Sequence, residues 1–251
     1  MIIVFFGAHP DDNVLKDGGV AAKYAKAGHK VYFIDVTAGE LGAVGNAGGL
    51  DKKRIIESEN AAKVIGAESI NLMFPDGGVE REYMKVREKV VELLRKFEPD
   101  IIFTHPKEDY HDDHNCVNKA VRSAFHLARV REYMHEIPYL KKTPFLVYTY
   151  STDANFNYNP EFKSDLVVDI SDVIDIKEGM LKQYSSQNPW FEEVFGKDLV
   201  GVIMDHNKYF SEKYLEKPGF AEIFKISHIA RVPDKKDELR YFLNGVYTPN
   251  F

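Results

Sequence analysis

Residues 2–13 read IIVFFGAHPDDN, an apolar run that stops at Gly7 and is followed at once by His9, Asp11 and Asp12. An apolar run of this length, bounded by a turn residue, predicts a strand that is buried on both faces. In open α/β sheets, ligands gather at the carboxyl ends of such strands, and these three polar side chains fall there. The stretch therefore predicts a functional site at the tip of the first strand.

Asp11 and Asp12 place two carboxylates side by side. Like charges this close disfavour joint ionisation unless a cation, hydrogen-bond donors or bulk water compensates, and a divalent metal is the strongest compensator. The alternative is that one of the two caps the helix predicted for residues 14–27. His9, which stands just before the pair, favours metal binding over capping.

The composition limits the classes of partner. The chain has 251 residues, 44% of them hydrophobic, and a net charge of −6 without long blocks of one sign. This predicts a small-molecule partner and no nucleic acid. The one cysteine, Cys116, excludes an intrachain disulfide and a multi-cysteine zinc site. Because we find neither a signal-peptide pattern nor a run of about 20 apolar residues, we expect a cytoplasmic protein with no integral membrane segment.

The order of the predicted elements indicates a Rossmann-like α/β fold, a mostly parallel sheet flanked by helices. We expect a single domain over residues 1–251, with a core of about residues 1–130 and additional strands and helices in residues 131–251. After the opening strand, the predicted strands span residues 30–37, 69–73, 100–105, 145–151 and 164–170. The predicted helices span residues 14–27, 54–65, 82–97, 115–128 and 173–184. The last two strands, joined by a turn over residues 152–160, predict extra antiparallel strands in the C-terminal half.

A second polar cluster follows the fourth predicted strand, where residues 110–114 read YHDDH. It offers His111, Asp113 and His114 as ligands. A catalytic zinc site commonly uses three nitrogen or oxygen ligands and keeps one position for water, and neither cluster provides this set alone. Both clusters follow strands at the same predicted edge, which favours one shared site over two unrelated surface clusters. The Gly-rich residues 38–51 predict a mobile loop at that edge.

These clusters resemble the signatures of the zinc-dependent N-acetylglucosaminyl de-N-acetylases, the LmbE-like or PIG-L-like family. That family carries His-Pro-Asp-Asp-Glu after the first strand and a later His-x-Asp-His. Here residues 9–13 read HPDDN and residues 111–114 read HDDH. The resemblance continues, in order, through TAGE at residues 37–40, Arg54, the turn at Asp76 and SQ at residues 186–187. It covers about residues 2–187.

The resemblance implies a metal-dependent hydrolase that removes the N-acetyl group from an N-acetylglucosamine-type amino sugar or its glycoside. It implies that His9, Asp12 and His114 ligate the metal. It further implies that the metal is Zn²⁺, although another divalent transition metal can use such a ligand set. The partner implied is a small N-acetylated sugar, and the family also implies assembly of the chain into trimers or hexamers.

The resemblance assigns further roles around the metal. It implies that Asp11 is the general base, which takes a proton from an activated water as that water attacks the amide carbonyl. It implies that His111 stabilises the oxyanion or acts as an acid, and that Asp113 orients it. Arg54 and Asp76 match positions that contact the substrate.

Two positions leave alternatives open. Arg54 can instead be a residue at the start of a helix that pairs with Glu57 or Glu59. Asn13 stands where the family usually has Glu, so a charge near the metal is lost, although the metal ligands themselves are kept. His105, at the end of the fourth strand, is a candidate for supporting the ligands.

Two alternative functions follow from the same residues. One is a nucleotide-binding Rossmann domain, because Asp35 lies near the end of the second strand, where an acidic residue can bind ribose. No G-x-G-x-x-G follows the first strand, however, and Asp11 and Asp12 would repel phosphate from the adjacent helix N-terminus. The other is a family member in which Asn13 marks weakened catalysis, with metal and sugar binding retained.

Overall fold

The computed structural model describes residues 1–42, 44, 48–152, 162–227 and 229, together with the backbone of residues 247–248. The strands are β1 (Ile2–Gly7), β2 (Lys30–Thr37), β3 (Glu68–Phe74), β4 (Ile101–Thr104), β5 (Phe145–Thr149), β6 (Leu166–Asp169), β7 (Ala221–Ile226) and β8 (Tyr247–Thr248). They form one sheet in the order β3-β2-β1-β4-β5-β7-β6-β8. Within these ranges we find no helix that is long and apolar enough to cross a membrane.

The first five strands are parallel to one another, which confirms the predicted mostly parallel α/β sheet. The chain runs from β1 outward to β2 and β3, and then returns to the other side of β1 with β4. The strand order therefore reverses between β1 and β4. In open α/β sheets the crevice at such a reversal, outside the carboxyl ends of the strands, is where ligands bind.

The helices are α1 (Asp12–Lys26), α2 (Leu50–Val64), α3 (Tyr83–Phe97), α4 (Asp112–Leu127), α5 (Ile174–Leu181), α6 (Asn188–Phe195) and α7 (Leu199–Phe210). They cover both faces of the sheet, and a large hydrophobic core lies on each face. Alternate β1 side chains feed these cores: Ile3 and Phe5 pack on the α1 side, and Val4 and Phe6 pack on the α3 and α4 side. This double burial explains the unbroken apolar run that opens the sequence.

Three helices begin earlier than predicted. Helix α1 starts at Asp12 instead of Val14. Helix α2 starts at Leu50 instead of Arg54, which places Arg54 inside the helix. Helix α4 starts at Asp112 instead of Asn115, because the His111 side chain accepts the backbone N–H of Asp113 and caps the helix.

The C-terminal half contains the extra antiparallel strands, but their arrangement differs from the prediction. Strands β5 and β6 do not pair; β7 lies between them and is antiparallel to both. Strand β7 is not among the predicted strands, and Glu222 and Lys225 interrupt its apolar residues. The predicted turn at residues 152–160 and the mobile loop at residues 38–51 lie partly outside the described residues, which omit 43, 45–47 and 153–161.

Glu222 is tolerated in β7 because it forms a buried ion pair. Its carboxylate lies 2.6 Å from Lys177 Nζ, and both side chains are fully buried. The pair also binds the backbone of α1, since Glu222 accepts the N–H groups of Gly19 and Val20 and Lys177 donates to the carbonyl of Leu15. The ion pair thus ties β7 and α5 to the helix that starts at the site.

We predict that Lys177→Met lowers the free energy of unfolding by about 3–5 kcal/mol, because it leaves the buried Glu222 carboxylate without its cation. Urea denaturation measures the change. Lys197→Met is the matched control, since it breaks an exposed ion pair with Asp205 and is expected to cost less than about 1 kcal/mol. A cost for Lys177→Met as small as that of the control would contradict the structural role of the buried pair.

Candidate metal centre at the carboxyl edge of the sheet

Three predicted ligands come together at the reversal point of the sheet. His9 follows β1, Asp12 begins α1, and His114 lies in the first turn of α4 after β4. His9 Nδ1 lies 3.2 Å from His114 Nε2 and 3.3 Å from the Asp12 carboxylate. His114 Nε2 lies 3.3 Å from the other Asp12 oxygen. All three side chains are buried.

The hydrogen bonds of the other ring nitrogens, His9 Nε2 and His114 Nδ1, indicate where the proton of each neutral imidazole lies. His9 Nε2 lies 3.1 Å from Asp76 Oδ1, and His114 Nδ1 lies 3.0 Å from Asp109 Oδ1. A carboxylate at these distances accepts a hydrogen bond from the ring N–H, so in the neutral imidazoles the two nitrogens that face each other carry lone pairs. With the Asp12 oxygens they converge on one point, which must hold a proton or a metal ion.

The spacing suits a metal ion. Ligands about 2.0–2.1 Å from a tetrahedral zinc ion are separated from one another by about 3.3 Å, which matches the 3.2 Å between His9 Nδ1 and His114 Nε2. Asp12 approaches each of these nitrogens to 3.3 Å with a different carboxylate oxygen, Oδ2 near His9 and Oδ1 near His114. Two imidazoles and one carboxylate also leave an open position, as in catalytic zinc sites. First-row metals such as iron accept the same set, so the ligands fit a divalent transition metal without fixing which one.

The electrostatics of the site also favour a positive charge. Burial works against a charged His9, but its contacts with Asp113, Asp12 and Asp76 hold its pKa well above the ordinary value. Burial likewise opposes ionisation of Asp12, yet the neighbouring His114 and His105 hold the pKa of its carboxyl well below the ordinary value. The shifts favour an ionised Asp12 carboxylate beside a positive charge, which the histidines carry when protonated.

Asp76 and Asp113 hold His9 in place. The Asp76 carboxylate accepts the N–H of Leu41 besides that of the His9 ring, and its own N–H donates to Glu40 Oε1. Despite burial, these contacts hold the pKa of Asp76 below its ordinary range. Asp113 Oδ2 lies 3.7 Å from His9 Nε2. We predicted Asp76 as a substrate-binding residue, and the structure places it against a candidate metal ligand.

His111 faces the same space, but its contact with Asp113 differs from the one expected. The Asp113 carboxylate accepts the backbone N–H groups of Gly77 and Val79, and it is the Asp113 backbone N–H that donates to His111 Nδ1. In the neutral ring the remaining proton is therefore on Nε2. Burial, and then the neighbouring His9 and His114, lower the pKa of His111, which favours this neutral form.

Arg54 pairs with Asp11 and with neither Glu57 nor Glu59. Its Nη2 lies 2.5 Å from Asp11 Oδ1, and its Nη1 donates to the carbonyl of Gly39. Gly39 has a positive φ of 67°, and a Cβ at this position would overlap the guanidinium. The glycine of the TAGE segment is thus required for the approach of Arg54 to Asp11.

Glu57 and His105 support the site from behind. Glu57 accepts hydrogen bonds from Ser185 and Ser186, the serine that precedes Gln187 in the SQ segment. His105 Nε2 accepts the N–H of Ala8 and lies 3.3 Å from Asp12. Through this hydrogen bond His105 supports the loop that carries His9.

Asn13 belongs to a buried polar network beneath the site. Its amide donates to Asp35 Oδ1 at 2.9 Å, and the Ser58 hydroxyl donates to Asp35 Oδ2 at 2.7 Å. Glu at position 13 would instead place a second carboxylate against Asp35. Asp35 is fully buried, so it cannot bind the ribose of a nucleotide, as the alternative Rossmann function required.

Asp109 and Lys16 are parts of the site that the sequence interpretation missed. Asp109 lies outside the HDDH segment, two residues before its first histidine, so the motif did not indicate it. It nevertheless contacts His114 across the start of α4. Lys16 lines a cavity of about 310 Å³ together with all the predicted site residues except Asp113. The cavity is lined by His9, Asp11, Asp12, Leu15, Lys16, Leu41, Gly42, Arg54, Asp76, Gly77, Tyr110, His111, His114, Gln187, Trp190 and Phe191.

Asp35 predicts a pH dependence of stability. Burial raises its pKa to about 8, so the folded chain holds a proton that the unfolded chain releases near its ordinary pKa. The free energy of unfolding of the wild type should therefore fall, relative to Asp35→Asn, as pH rises from about 4 to about 8. Urea denaturation across this range measures it. Asp172→Asn, a surface control whose carboxylate has a lowered pKa, should give a curve parallel to that of the wild type. If the curve of Asp35→Asn ran parallel to that of the wild type, the raised pKa of Asp35 would be contradicted.

Comparison with known proteins agrees with this geometry. Residues 4–125 match the family described as PIG-L, GlcNAc-PI de-N-acetylase. The chain is 26% identical over 236 residues to a diacetylchitobiose deacetylase of Thermococcus kodakarensis, covering 88% of this chain and 85% of that protein. It is 27% identical over 162 residues to a 1D-myo-inositol 2-acetamido-2-deoxy-alpha-D-glucopyranoside deacetylase of Kineococcus radiotolerans, covering 50% of this chain and 45% of that protein.

A solved structure shares the fold. The N,N'-diacetylchitobiose deacetylase from Pyrococcus horikoshii superposes with a TM-score of 0.76 at 22% identity, covering 93% of this chain and 88% of that one. The match to the family lies in the half of the chain that carries β1, β4 and all the candidate ligands. Residues 4–125, which include both motifs, thus match the PIG-L family of de-N-acetylases, as the resemblance of the sequence predicted.

Proposed function

We propose that this protein is a metal-dependent hydrolase that removes the acetyl group from a 2-acetamido sugar of the N-acetylglucosamine type. The observation that carries the proposal is the convergence of His9 Nδ1, the Asp12 carboxylate and His114 Nε2 at 3.2–3.3 Å beside a cavity. Both curated relatives are named as deacetylases of sugars with an acetamido group, which supports the same substrate class. Zn²⁺ is the proposed metal because the ligand set and spacing suit it.

Bound to these residues, the metal would lower the pKa of a water molecule and polarise the amide carbonyl. Asp11 follows as the general base. Arg54 engages Asp11 Oδ1 and fixes the carboxylate, and Oδ2 takes a proton from the attacking water. The water oxygen bonds to the carbonyl carbon, the C–N bond breaks, and the proton is delivered to the leaving nitrogen. The products are acetate and the free amino sugar.

His111 stabilises the charge that develops on the carbonyl oxygen. Its Nδ1 is occupied by the N–H of Asp113, so in the neutral ring Nε2–H is the donor available to the substrate. This assigns Asp113 a positioning role through its backbone, while its carboxylate secures the turn at Gly77 and Val79. A donor fixed in advance acts more strongly than one that must reorient during the reaction.

The cavity walls suit a sugar. Trp190 in α6 and Tyr110 after β4 line the cavity together with Leu15, and aromatic faces pack well against the apolar face of a pyranose. Pro189 lies in the first turn of α6 and helps to start the helix that carries Trp190. Arg54, which we predicted to contact the substrate, also lines this cavity. The cytoplasmic location and the assembly into trimers or hexamers remain predictions.

Asn13 does not by itself argue for weakened catalysis. Its amide is bound to Asp35, and the three ligand atoms still converge above it. The hypothesis of a member that binds metal and sugar without turnover is separated from the proposal by an assay of acetate release.

We expect Asp11→Asn to reduce kcat for acetate release by about 10²–10⁴-fold, because the variant keeps the shape of the side chain and loses the proton acceptor. The assay uses N-acetylglucosamine and N,N'-diacetylchitobiose with added Zn²⁺, and metal content is measured in parallel. Asp112→Asn is the control, because Asp112 is an exposed residue of the same motif and should retain wild-type activity. Activity of Asp11→Asn near that of the control would refute the assigned base.

Removal of the metal gives a second test of the proposal. Dialysis against a chelator should abolish acetate release, and one equivalent of Zn²⁺ should restore it, because the ligands are preformed. Full activity of a preparation shown to be metal-free would exclude the proposed mechanism.

Trp190 is the only tryptophan of the chain, so its fluorescence reports on the cavity. We predict that N,N'-diacetylchitobiose added to the inactive Asp11→Asn variant changes the emission of Trp190 in a saturable way. Glucose, which lacks the acetamido group, serves as the control ligand. The same change with glucose, or no change with either sugar, would contradict sugar binding at this wall.

A further inference from the structure

We propose that Lys16 is a positioning residue of the metal centre, acting through Asp109 to fix the metal-binding face of His114. The inference rests on the proposed function, since it concerns the same candidate metal ligand. It adds a second cation, from α1, to a site in which Arg54 already holds the proposed base Asp11.

Asp109 gathers three donors. Its Oδ1 lies 3.0 Å from His114 Nδ1 and 3.2 Å from the backbone N of His111, and its Oδ2 lies 3.2 Å from Lys16 Nζ. The carboxylate is fully buried. It therefore orients the imidazole of one functional histidine and the backbone of the other.

Lys16 is placed to hold this carboxylate. It stands four residues after Asp12 in α1, so the two side chains share a helix face. Its side chain is 2% exposed, with Nζ 5.6 Å from the centre of the Tyr150 ring. A lysine buried to this degree must be paired, and Asp109 is the carboxylate it reaches.

The consequence for the metal site follows from the charge. With Lys16 present, Asp109 remains an anion that accepts the His114 Nδ1 proton and keeps the Nε2 lone pair directed towards His9 and Asp12. Without Lys16, the buried carboxylate loses the partner that fixes Oδ2 and can rotate or move towards solvent, and this movement releases the ring. Lys16 thus links helix α1, which begins within the HPDDN segment, to His114 of the HDDH segment.

The test measures metal affinity and coordination separately from turnover. Apoprotein is titrated with Zn²⁺ against a chromophoric chelator, and with Co²⁺, whose visible absorption weakens when four-coordinate geometry is lost. We expect Lys16→Met to weaken Zn²⁺ binding by about 10–100-fold and to reduce the Co²⁺ absorption. Lys16→Arg, which keeps the cation, should remain close to the wild type. Lys23→Met, on the same helix with a surface ion pair, is the matched control.

A double variant, Lys16→Met with Asp109→Asn, tests whether Lys16 acts through Asp109. Because Lys16 acts through Asp109, Lys16→Met should add nothing to the weakened affinity of Asp109→Asn. Additive effects, or a Lys16→Met variant that binds Zn²⁺ as tightly as the control, would overturn the inference. If Lys16→Met does not fold, as judged by circular dichroism, Lys16→Gln takes its place under the same criteria. A wild-type chain that binds no metal would instead refute the proposed function.

Discussion

Candidate ligand atoms from two distant parts of the chain meet at the carboxyl edge of the sheet, where two imidazole nitrogens and a carboxylate face one another. His9 Nδ1 and His114 Nε2 are 3.2 Å apart although the residues are 105 positions apart in the chain. Such a contact requires the parallel pairing of β1 with β4, which brings the carboxyl ends of the two strands side by side. The sheet reversal at this point therefore does more than create a crevice. It assembles the site from two motifs that are incomplete alone.

The surroundings of the site carry an excess of negative charge. The ligand cluster and its hydrogen-bonded partners contain five carboxylates, from Asp11, Asp12, Asp76, Asp109 and Asp113, and two permanent cations, from Arg54 and Lys16. Each cation neutralises one carboxylate, and backbone N–H groups satisfy Asp76 and Asp113. The charge of Asp12 is then left for the histidines and the proposed metal. A buried arrangement of this kind favours binding of a cation over an anionic phosphate ligand.

The sequence predicted the framework well, because its strongest signals are local. Apolar runs identified the first six strands, and the polar residues at the ends of β1 and β4 identified the site, since parallel strands share an edge. The sequence did not show which residues distant in the chain pair with one another. Glu222 in β7 is charged because Lys177 of α5 neutralises it, and no local pattern shows that pairing. For the same reason the alternative pairing of Arg54 with Glu57 stayed open until the structure placed Asp11 beside it.

Anomalous X-ray diffraction from crystals of the zinc-loaded protein tests the central claim most directly. The structure predicts one ion for each chain, bound by His9 Nδ1, the Asp12 carboxylate and His114 Nε2 at about 2.0–2.2 Å, with one further position open to solvent or substrate. An ion held instead by His9 Nε2, Asp76 and Asp113, or no anomalous signal at this edge of the sheet, would contradict it.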